Sequence, residues 1–274
     1  MTARDALAEG AGVLERAGCP SPDVDAEWLL ADVLGTSRTG LLTHRAELGE
    51  ADVERFRALV ARRATREPLA YVLGEWGFRG LTLLVDPRVL VPRPETEAVV
   101  ERCLVLLDGV PEPAVLDVGV GSGAIALAVA AERPDARVVA TDVSAAALEV
   151  ADENRRRAAV DGRVRLVQGD LLAGEEGPFD LVVSNPPYVS PSELDALEPE
   201  LRFEPREALV GLGRHEAVAR AALETLAPGG ALVLEVGDGQ APDVAAMLGE
   251  LGLADVVVSP DLAGRERVVE GRRA

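Results

Sequence analysis

Short apolar runs alternate with alanine-rich segments through the second two-thirds of the chain. The segments Ala124–Glu132 and Ser144–Ala159 have the length and composition of helices that pack against a sheet. Apolar runs without internal polar alternation are typical of strands buried on both faces. Strands that alternate with helices predict an α/β protein with a doubly wound, mainly parallel sheet. The predicted strands are Ala114–Val118, Val138–Thr141, Val164–Val167, Phe179–Ser184, Ala231–Val236, Ala254–Val258 and Arg267–Val269.

The first 68 residues have a helical period instead. Val53, Phe56 and Val60 recur at positions i, i+3 and i+7, which places them on one face of a helix. Ser21 followed by Pro22 is a helix start, with an N-cap residue and a proline at the first helical position. The pattern predicts a small helical bundle over residues 1–68.

Between these two regions the period changes to that of strands. The runs Leu81–Val85 and Val89–Val91 flank the turn-like Asp86-Pro87-Arg88 and predict a β-hairpin. We therefore divide the chain into a helical N-terminal domain at 1–68, a β-hairpin linker at 69–92 and an α/β domain at 93–274.

The charge of the chain narrows the classes of function. The 274 residues include 28 basic and 47 acidic side chains, for a net charge of −19, and every basic residue is arginine. Without lysine, Schiff-base chemistry and a P-loop are excluded. Nucleic-acid affinity rests on clustered basic residues, so this balance argues against a broad nucleic-acid surface.

Other features of the composition bear on the class of site and on the compartment. Two distant cysteines and two histidines, His44 and His215, favour neither a disulfide framework nor a metal site, and we assign the histidines no role. Acidic residues near the N-terminus and the lack of a long apolar run predict a cytoplasmic protein without a membrane anchor.

A glycine-rich loop follows the first strand of the predicted sheet. Its sequence, Gly119-Val120-Gly121-Ser122-Gly123, lies between a strand and a helix, where glycines let a ligand approach the main chain and the helix N-terminus. Asp142 closes the next strand, where a carboxylate can accept hydrogen bonds from ribose hydroxyls. Asp170 and Leu171 follow the third strand and could border an adenine ring. The loop also fits G-x-G-x-x-A, so a nicotinamide or flavin dinucleotide stays open at this point.

A second motif follows the fourth strand, at the carboxyl edge where ligands bind in such sheets. It reads Asn185-Pro186-Pro187-Tyr188. The prolines stiffen the backbone, so the Asn185 side-chain oxygen and the Pro186 carbonyl form a rigid pair of acceptors for a planar NH2 group. Tyr188 offers a flat face for stacking. An amide or aromatic amine is a poor nucleophile, and two acceptors would hold it in line with an electrophilic methyl group and offset its developing positive charge.

These two motifs together resemble the class I S-adenosylmethionine-dependent methyltransferases that act on planar nitrogen. Further stretches make the chain similar to the release-factor glutamine methyltransferase (PrmC/HemK) family over essentially its whole length. They are Gly74-Glu75-Trp76-Gly77-Phe78-Arg79-Gly80-Leu81, Val91-Pro92-Arg93-Pro94-Glu95-Thr96-Glu97 and Arg202-Phe203-Glu204-Pro205 with Ala208-Leu209.

The resemblance implies a Rossmann-like, seven-stranded methyltransferase sheet and methyl transfer to the side-chain amide nitrogen (N5) of the glutamine in the Gly-Gly-Gln loop of peptide chain release factors. S-adenosyl-L-methionine would be the cofactor and S-adenosyl-L-homocysteine the product. The implied cofactor residues are Gly119, Val120, Gly121, Ser122, Gly123, Asp142, Asp170, Leu171 and Asn185. The implied substrate residues are Asn185, Pro186, Pro187 and Tyr188, with Phe78 and Arg93 as further candidates; Asn185, Pro186 and Tyr188 would be catalytic.

Several points stay open on the sequence. A nucleic-acid N-methyltransferase acting on adenine or guanine amino groups shares the Asn-Pro-Pro-aromatic pattern, and a dinucleotide oxidoreductase or a non-catalytic cofactor-binding module are further alternatives. We expect a monomer, a helical domain that recognises the release factor, and no direct contact with nucleic acid or membrane. Arg93 and Glu97 could orient ligands or belong to a helix start. The Arg55–Arg66 cluster is typical of a solvated helix face, with contact to an acidic partner as the alternative.

Overall fold

The computed structural model describes residues 1–41, 47–193, 197–211 and 213–274; His44 lies outside them. The contacts between residues divide the chain into two compact units. The smaller unit comprises residues 1–75 together with a returning segment, Glu198–Phe203, and the larger unit comprises 76–197 and 204–274.

The smaller unit is a group of helices, as the sequence predicts for this region. Its elements are α1 (Ala3–Arg16), α2 (Pro22–Val33), α3 (Arg38–Leu41), α4 (Glu50–Ala64), α5 (Leu69–Leu73) and a 3₁₀ turn (Pro199–Phe203). Thr2 caps α1: its hydroxyl accepts from the Asp5 amide at 3.2 Å, and Asp5 Oδ2 accepts from the Thr2 amide at 3.1 Å. The amphipathic faces of α1, α2 and α4 enclose a core that includes Leu14, Leu29 and Phe56.

The arginines of the Arg55–Arg66 cluster have acidic partners within the smaller unit. Arg63 is almost fully buried, where it donates to Asp25 at 2.8 Å and forms an ion pair with Glu200 at 2.9 Å. Burial raises the pKa of Asp25, against the opposing effect of Arg63. The other pairs are Arg55 with Asp32, Arg57 with Glu9, Arg62 with Glu67, and Arg66 with Glu200.

The larger unit contains the predicted seven-stranded, mainly parallel sheet. The strands are β3 (Ala114–Val118), β4 (Arg137–Asp142), β5 (Val164–Gln168), β6 (Phe179–Ser184), β7 (Leu226–Glu235), β8 (Leu253–Pro260) and β9 (Glu266–Arg273), after the hairpin strands β1 (Glu75–Phe78) and β2 (Leu81–Leu84). The sheet order is β5-β4-β3-β6-β7-β9-β8, and β9 runs antiparallel to both of its neighbours, β7 and β8. The seven apolar runs of the sequence therefore correspond to the seven strands of the sheet.

Helices separate most of these strands and supply the rest of the core. They are α6 (Thr96–Leu106), α7 (Ala124–Glu132), α8 (Ala145–Arg157), α9 (Arg206–Leu209), α10 (Arg214–Thr225) and α11 (Ala241–Glu250). Helix α7 is buried over nearly its whole surface, because its small alanines allow close approach to the sheet. Ser144 caps α8 by accepting from the Ala147 amide at 3.2 Å.

The hairpin lies earlier in the chain than the sequence pattern predicts. Strands β1 and β2 are joined at Arg79 and Gly80, whose φ angles are 43° and 78°. Two consecutive positive φ values suit a tight hairpin turn, because they match the twist of the flanking strands. The predicted strand Val89–Val91 is wrong: this segment is not a strand, although Val89 and Val91 are buried. Residues 69–73, placed in the linker by the sequence, form helix α5.

Among the described residues, no helix combines the length and the apolar character that a membrane crossing would need.

Candidate active site

The carboxyl ends of β3, β4 and β6 open into a cavity of about 470 Å³ in the larger unit. Strand β3 lies between β4 and β6, so the chain changes direction across the sheet at this point. Ligands bind at such a switch point in open α/β sheets because the loops on either side diverge and leave a crevice. The lining segments are residues 88–93, 118–122, 141–144, 169–171 and 184–187, with Thr96, Pro205, Ala208 and Arg214 among the further contributors.

The glycine-rich loop lines this cavity through Gly119, Val120, Gly121 and Ser122. Gly119 and Gly121 have φ angles of 84° and 50°, a region that side chains other than glycine rarely occupy. A Cβ atom at either position would meet no atom within 4 Å. The bare backbone therefore faces open space, which is the cradle that a nucleoside cofactor needs for close approach.

Gly123 has a different position from the rest of the loop. It precedes α7 with a φ of 90°, and it is not among the described residues that line the cavity. A Cβ atom there would approach Leu127 Cδ1 to 2.7 Å and the Ala151 Cα to 3.7 Å. The structure therefore gives Gly123 a packing function between α7 and α8, whereas the sequence assigns it to the cofactor.

Asp142 closes β4 and faces the glycine loop. Its Oδ2 accepts from the Gly121 amide at 2.9 Å, and its Oδ1 accepts from the Ser144 amide at 2.9 Å. Each carboxylate oxygen retains a further lone pair for a ligand. Asp142 therefore both fixes the loop and offers the acceptors that two neighbouring hydroxyl groups require.

Asp170 and Leu171 also line the cavity. Asp170 forms an ion pair with Arg214 at 2.6 Å, and this bond lowers the pKa of its carboxyl group. Leu171 has a φ of 49°, and its carbonyl accepts from the Thr141 hydroxyl at 2.6 Å. That bond holds the loop after β5 against β4. The side chain of Leu171 adds apolar surface to the cavity.

Asn185, Pro186 and Pro187 line the cavity directly after β6. The Asn185 side-chain nitrogen lies 3.4 Å from the hydroxyl oxygen of Thr96, the first residue of α6. Thr96 is buried and also lines the cavity. The bond directs the nitrogen of Asn185 toward Thr96 and leaves its oxygen available on another side.

Tyr188 follows this row in the chain and is not among the described residues that line the cavity. Its ring stacks on His215 of α10, with a centroid distance of 6.4 Å and an interplanar angle of 14°. His215 Nε2 in turn lies 2.8 Å from the Glu235 carbonyl, and burial lowers the pKa of the imidazole. The sequence assigns His215 no role; the structure makes it the support of Tyr188.

Arg93, a candidate substrate residue on the sequence, lines the cavity and has a buried partner. It forms a close ion pair with Glu204, whose carboxylate also accepts from the Val91 amide at 3.2 Å. Burial raises the pKa of Glu204, and the Arg93 charge opposes that rise. The pair fixes the segment before α6 as one wall of the cavity.

Two other residues of the motifs lie away from the cavity. Phe78 is only 2% exposed and is not among the described residues that line the cavity, so its ring is buried elsewhere in the structure. Glu97 lies in the first turn of α6 and accepts from the Arg79 amide at 3.1 Å, which ties the hairpin turn to that helix.

In the described part of the chain, no three histidine, cysteine or acidic side chains converge in the way a metal ion requires.

Two family models match the chain: the PrmC N-terminal domain over residues 5–74 and the Methyltransferase small domain over residues 103–257. The release factor glutamine methyltransferase of Deinococcus radiodurans is 45% identical over 279 residues, covering 100% of this chain and 99% of the relative. The chain belongs to the release factor glutamine methyltransferase family. The Burkholderia pseudomallei member is 46% identical, with 92% of this chain and 93% of the relative covered.

This member of the release factor glutamine methyltransferase family shares its fold with a broader set of methyltransferases. The solved structure of the T. thermophilus 16S rRNA N2 G1207 methyltransferase matches with a TM-score of 0.55 at 22% identity, covering 73% of this chain and 50% of that one. The dinucleotide oxidoreductase considered on the sequence is therefore wrong, because the family is that of methyltransferases.

Three residues of this family member support the site without having been singled out by the sequence. Asn154 is fully buried on α8 and donates to the Ser122 carbonyl at 2.8 Å. Thr96 and Glu235 flank Asn185 from α6 and from the end of β7. The sequence offered a signal for two of them: Thr96 belongs to the segment Val91–Glu97, and Glu235 ends a strand at the same sheet edge as Asp142. Asn154 gave no signal, because a polar residue in a helix is ordinarily exposed.

Proposed function

We propose that this protein transfers a methyl group from S-adenosyl-L-methionine to the side-chain amide nitrogen (N5) of the glutamine in the Gly-Gly-Gln motif of peptide chain release factors. The observation that carries the proposal is the full-length match to release factor glutamine methyltransferases, in a chain whose Asn185-Pro186-Pro187 row lines a cavity beside the glycine loop. S-adenosyl-L-homocysteine is then the product that must leave the same cavity.

The residues of the cavity fit this cofactor. S-adenosylmethionine supplies a methyl group made electrophilic by its attachment to a sulfonium sulfur. The open backbone at Gly119 and Gly121 would hold the methionine part, and the Asp142 carboxylate would accept from the ribose hydroxyls. Asp170 and Leu171 would border the adenine, with Val120 and Ser122 completing the floor of the pocket.

Asn185 and Pro186 would hold the substrate glutamine. An amide nitrogen is a weak nucleophile because its lone pair is delocalised into the carbonyl group. The Asn185 side-chain oxygen and the Pro186 carbonyl can each accept one hydrogen of the NH2 group, which fixes its orientation toward the methyl donor. Both acceptors would also offset the positive charge that develops on nitrogen as the N–CH3 bond forms and the S–CH3 bond breaks. The nitrogen then loses one N–H proton to solvent, and the former sulfonium sulfur is left as the neutral thioether of S-adenosyl-L-homocysteine.

Tyr188 and Arg93 support this arrangement in different ways. The His215 ring stacks on the ring of Tyr188, so the tyrosine braces Pro187 and the substrate row from behind. Arg93, paired with Glu204, would fix the segment before α6 that lines the cavity and would take part in binding the substrate loop.

The helical N-terminal domain predicted at residues 1–68 is the part that we assign to recognition of the release factor. The match of residues 5–74 to the PrmC N-terminal domain supports this assignment.

The test is incubation of the full chain with methyl-labelled S-adenosylmethionine and a purified release factor, followed by mapping of the label by peptide mass. We expect label on the Gly-Gly-Gln glutamine and none when that glutamine is replaced by asparagine. Asn185→Ala should lose turnover while it retains cofactor binding measured by calorimetry. Label on added RNA or DNA, with none on the release factor, would favour the nucleic-acid alternative and refute the proposal.

A further inference from the structure

Glu235, the last residue of β7, is a fully buried carboxyl group that the proposed chemistry leaves without a function. Its side chain has no exposed surface. Among the described residues, no donor forms a complete hydrogen bond to either carboxyl oxygen. A buried carboxyl group without such bonds costs free energy, so its retention at this sheet edge calls for a functional explanation.

The sheet register places Glu235 beside the substrate row. Ser184 of β6 lies opposite Leu234 of β7 in a parallel ladder. Asn185 directly follows β6, and Glu235 is the last residue of β7, so the two residues are neighbours at the carboxyl edge of the sheet. The Thr96 hydroxyl and the Asn185 amide lie close enough to Glu235 to favour its ionised form, although neither bond is complete.

The chemistry of these groups determines which way the Asn185 amide faces. An ionised carboxylate can only accept hydrogen bonds, and the side-chain nitrogen of asparagine can only donate. A carboxylate at Glu235 therefore attracts the nitrogen of Asn185, the same atom that lies 3.4 Å from the Thr96 oxygen. The oxygen of Asn185 is then left for the cavity, where it can accept from an NH2 group.

We propose that Glu235 is a positioning residue whose carboxylate, together with the Thr96 hydroxyl, holds the Asn185 side chain with its oxygen directed at the substrate nitrogen. This inference rests on the proposed function for the identity of the substrate, and on the contacts around Glu235 for the orientation. Protonation of Glu235 gives it a donor O–H, which can pair with the oxygen of Asn185 and reverse the amide.

The environment of Glu235 makes this protonation relevant near neutral pH. Burial raises its pKa to about 7; the nearby Glu95 charge adds to the rise, while Thr96, Arg267 and Asn185 oppose it. The other titratable groups nearby are Tyr188, whose pKa is raised to about 12, and His215, whose pKa is lowered by burial. The tyrosine titrates well above pH 7, and the imidazole titrates below its ordinary value.

The kinetic test compares wild type with Glu235→Gln, using the full chain, saturating cofactor and a purified release factor. We expect the wild-type kcat to rise with pH through an inflection near 7, as the carboxylate forms. Glu235→Gln should lose that inflection and reduce kcat by roughly 10- to 100-fold, since misplaced groups cost about this much. Its KM for the release factor and its cofactor Kd should stay within about twofold, because the amide's orientation matters mainly in the transition state.

Glu270→Gln is the matched control. Glu270 is also buried, on the neighbouring strand β9, but it pairs with Arg102 at 2.7 Å, away from Asn185. It should retain the wild-type inflection. An inflection that persists unchanged in Glu235→Gln would overturn the inference.

A second measurement does not depend on the substrate. In ¹⁵N-labelled full-length protein, the side-chain NH2 signal that disappears in Asn185→Ala should shift with pH through about 7 in wild type and stay constant in Glu235→Gln. A signal that does not titrate in wild type would overturn the inference. Failure of the wild type to label the release factor would instead refute the proposed function and leave this measurement to decide the role of Glu235.

Discussion

The side-chain nitrogen of Asn154 donates to the Ser122 carbonyl over 2.8 Å and to the Leu84 carbonyl over 3.0 Å. Its oxygen accepts from the Leu84 amide at 2.6 Å. One buried side chain on α8 thus joins strand β2 of the hairpin to the glycine loop. The loop that faces the cavity is therefore fixed from behind by a residue that has no direct access to the ligand.

Replacing Asn154 with leucine should destabilise the protein and weaken cofactor binding together. The Leu84 amide and the two carbonyls would remain buried without partners, at about 1–3 kcal/mol for each unsatisfied group. We expect a loss of roughly 3 kcal/mol in the free energy of unfolding, measured by urea denaturation. Asn154→Asp retains the acceptor for the Leu84 amide and should fall between wild type and Asn154→Leu. Equal stability of all three proteins would contradict this account.

Gly121 and Gly123 should respond differently to alanine. At Gly121 the added Cβ meets open space beside the cavity, so Gly121→Ala should weaken cofactor binding by about tenfold, with a stability loss of roughly 1–2 kcal/mol from the positive φ. At Gly123 the Cβ collides with Leu127, so Gly123→Ala should reduce stability by about 1–3 kcal/mol more than Gly121→Ala. Calorimetry measures the loss of cofactor affinity, and thermal unfolding measures the loss of stability. Equal changes in affinity and in stability for the two variants would refute the distinction.

Asp142→Ala should reduce cofactor affinity by roughly 10- to 100-fold. The variant removes the acceptor of the Gly121 amide and the carboxylate proposed for the ribose, and charged hydrogen bonds contribute about 1.5–3 kcal/mol each. Asp161→Ala is the control, because Asp161 is an exposed acid outside the described lining of the cavity. Cofactor titration followed by calorimetry should leave the control unchanged. A similar loss in both variants would mean that the general negative charge, and not Asp142, is responsible.

Asp117 should make the protein less stable as the pH rises toward neutrality. It is 1% exposed, and burial raises its pKa from 3.8 to about 7, with the nearby Asp142 charge adding to the rise. Because the folded-state pKa lies above the unfolded value, the stabilising contribution is complete below about pH 4 and is lost as the pH rises to about 7. The pKa of Glu235 is also raised by burial, so both carboxyl groups lower the free energy of unfolding as the pH rises through this range.

Asp117→Asn should therefore flatten the dependence of unfolding free energy on pH between 5 and 7.5, with about half of the slope removed. Its side-chain oxygen can still accept from the Ala126 amide, which donates to Asp117 at 3.0 Å. Urea denaturation at several pH values provides the measurement. Parallel curves for the variant and wild type would show that Asp117 does not bind a proton on folding in this range.

Regular elements with strong periodicity were accessible from the sequence. Strand Phe179–Ser184 and helix Ala124–Glu132 have the predicted bounds, because a buried apolar run is interrupted at once by proline or by charged residues. The hairpin was misplaced because Asp86-Pro87 is a strong turn signal, whereas the actual turn at Arg79-Gly80 depends on a positive φ at arginine. Local sequence does not encode that conformation strongly.

The site was predictable to the extent that its residues come from strand ends. The cavity lies against Gly119, Asp142 and Asn185 because parallel strands bring their carboxyl ends to one edge. The positions of Tyr188 and Phe78 relative to the cavity were not predictable, because ring orientation depends on tertiary packing. The roles of Asn154 and Glu235 arise from contacts distant in sequence.

The returning segment Glu198–Phe203 has a consequence for synthesis on the ribosome. Arg66 donates to Glu200, a residue 134 positions later in the chain. The helices before residue 75 therefore emerge, and can begin to fold, long before Glu200, the acidic partner that Arg63 and Arg66 share, has been translated. Until then Arg63 has only Asp25 as its close acidic partner in the described structure. The smaller unit therefore gains its full set of ion pairs only after strands β3, β4, β5 and β6 have been translated.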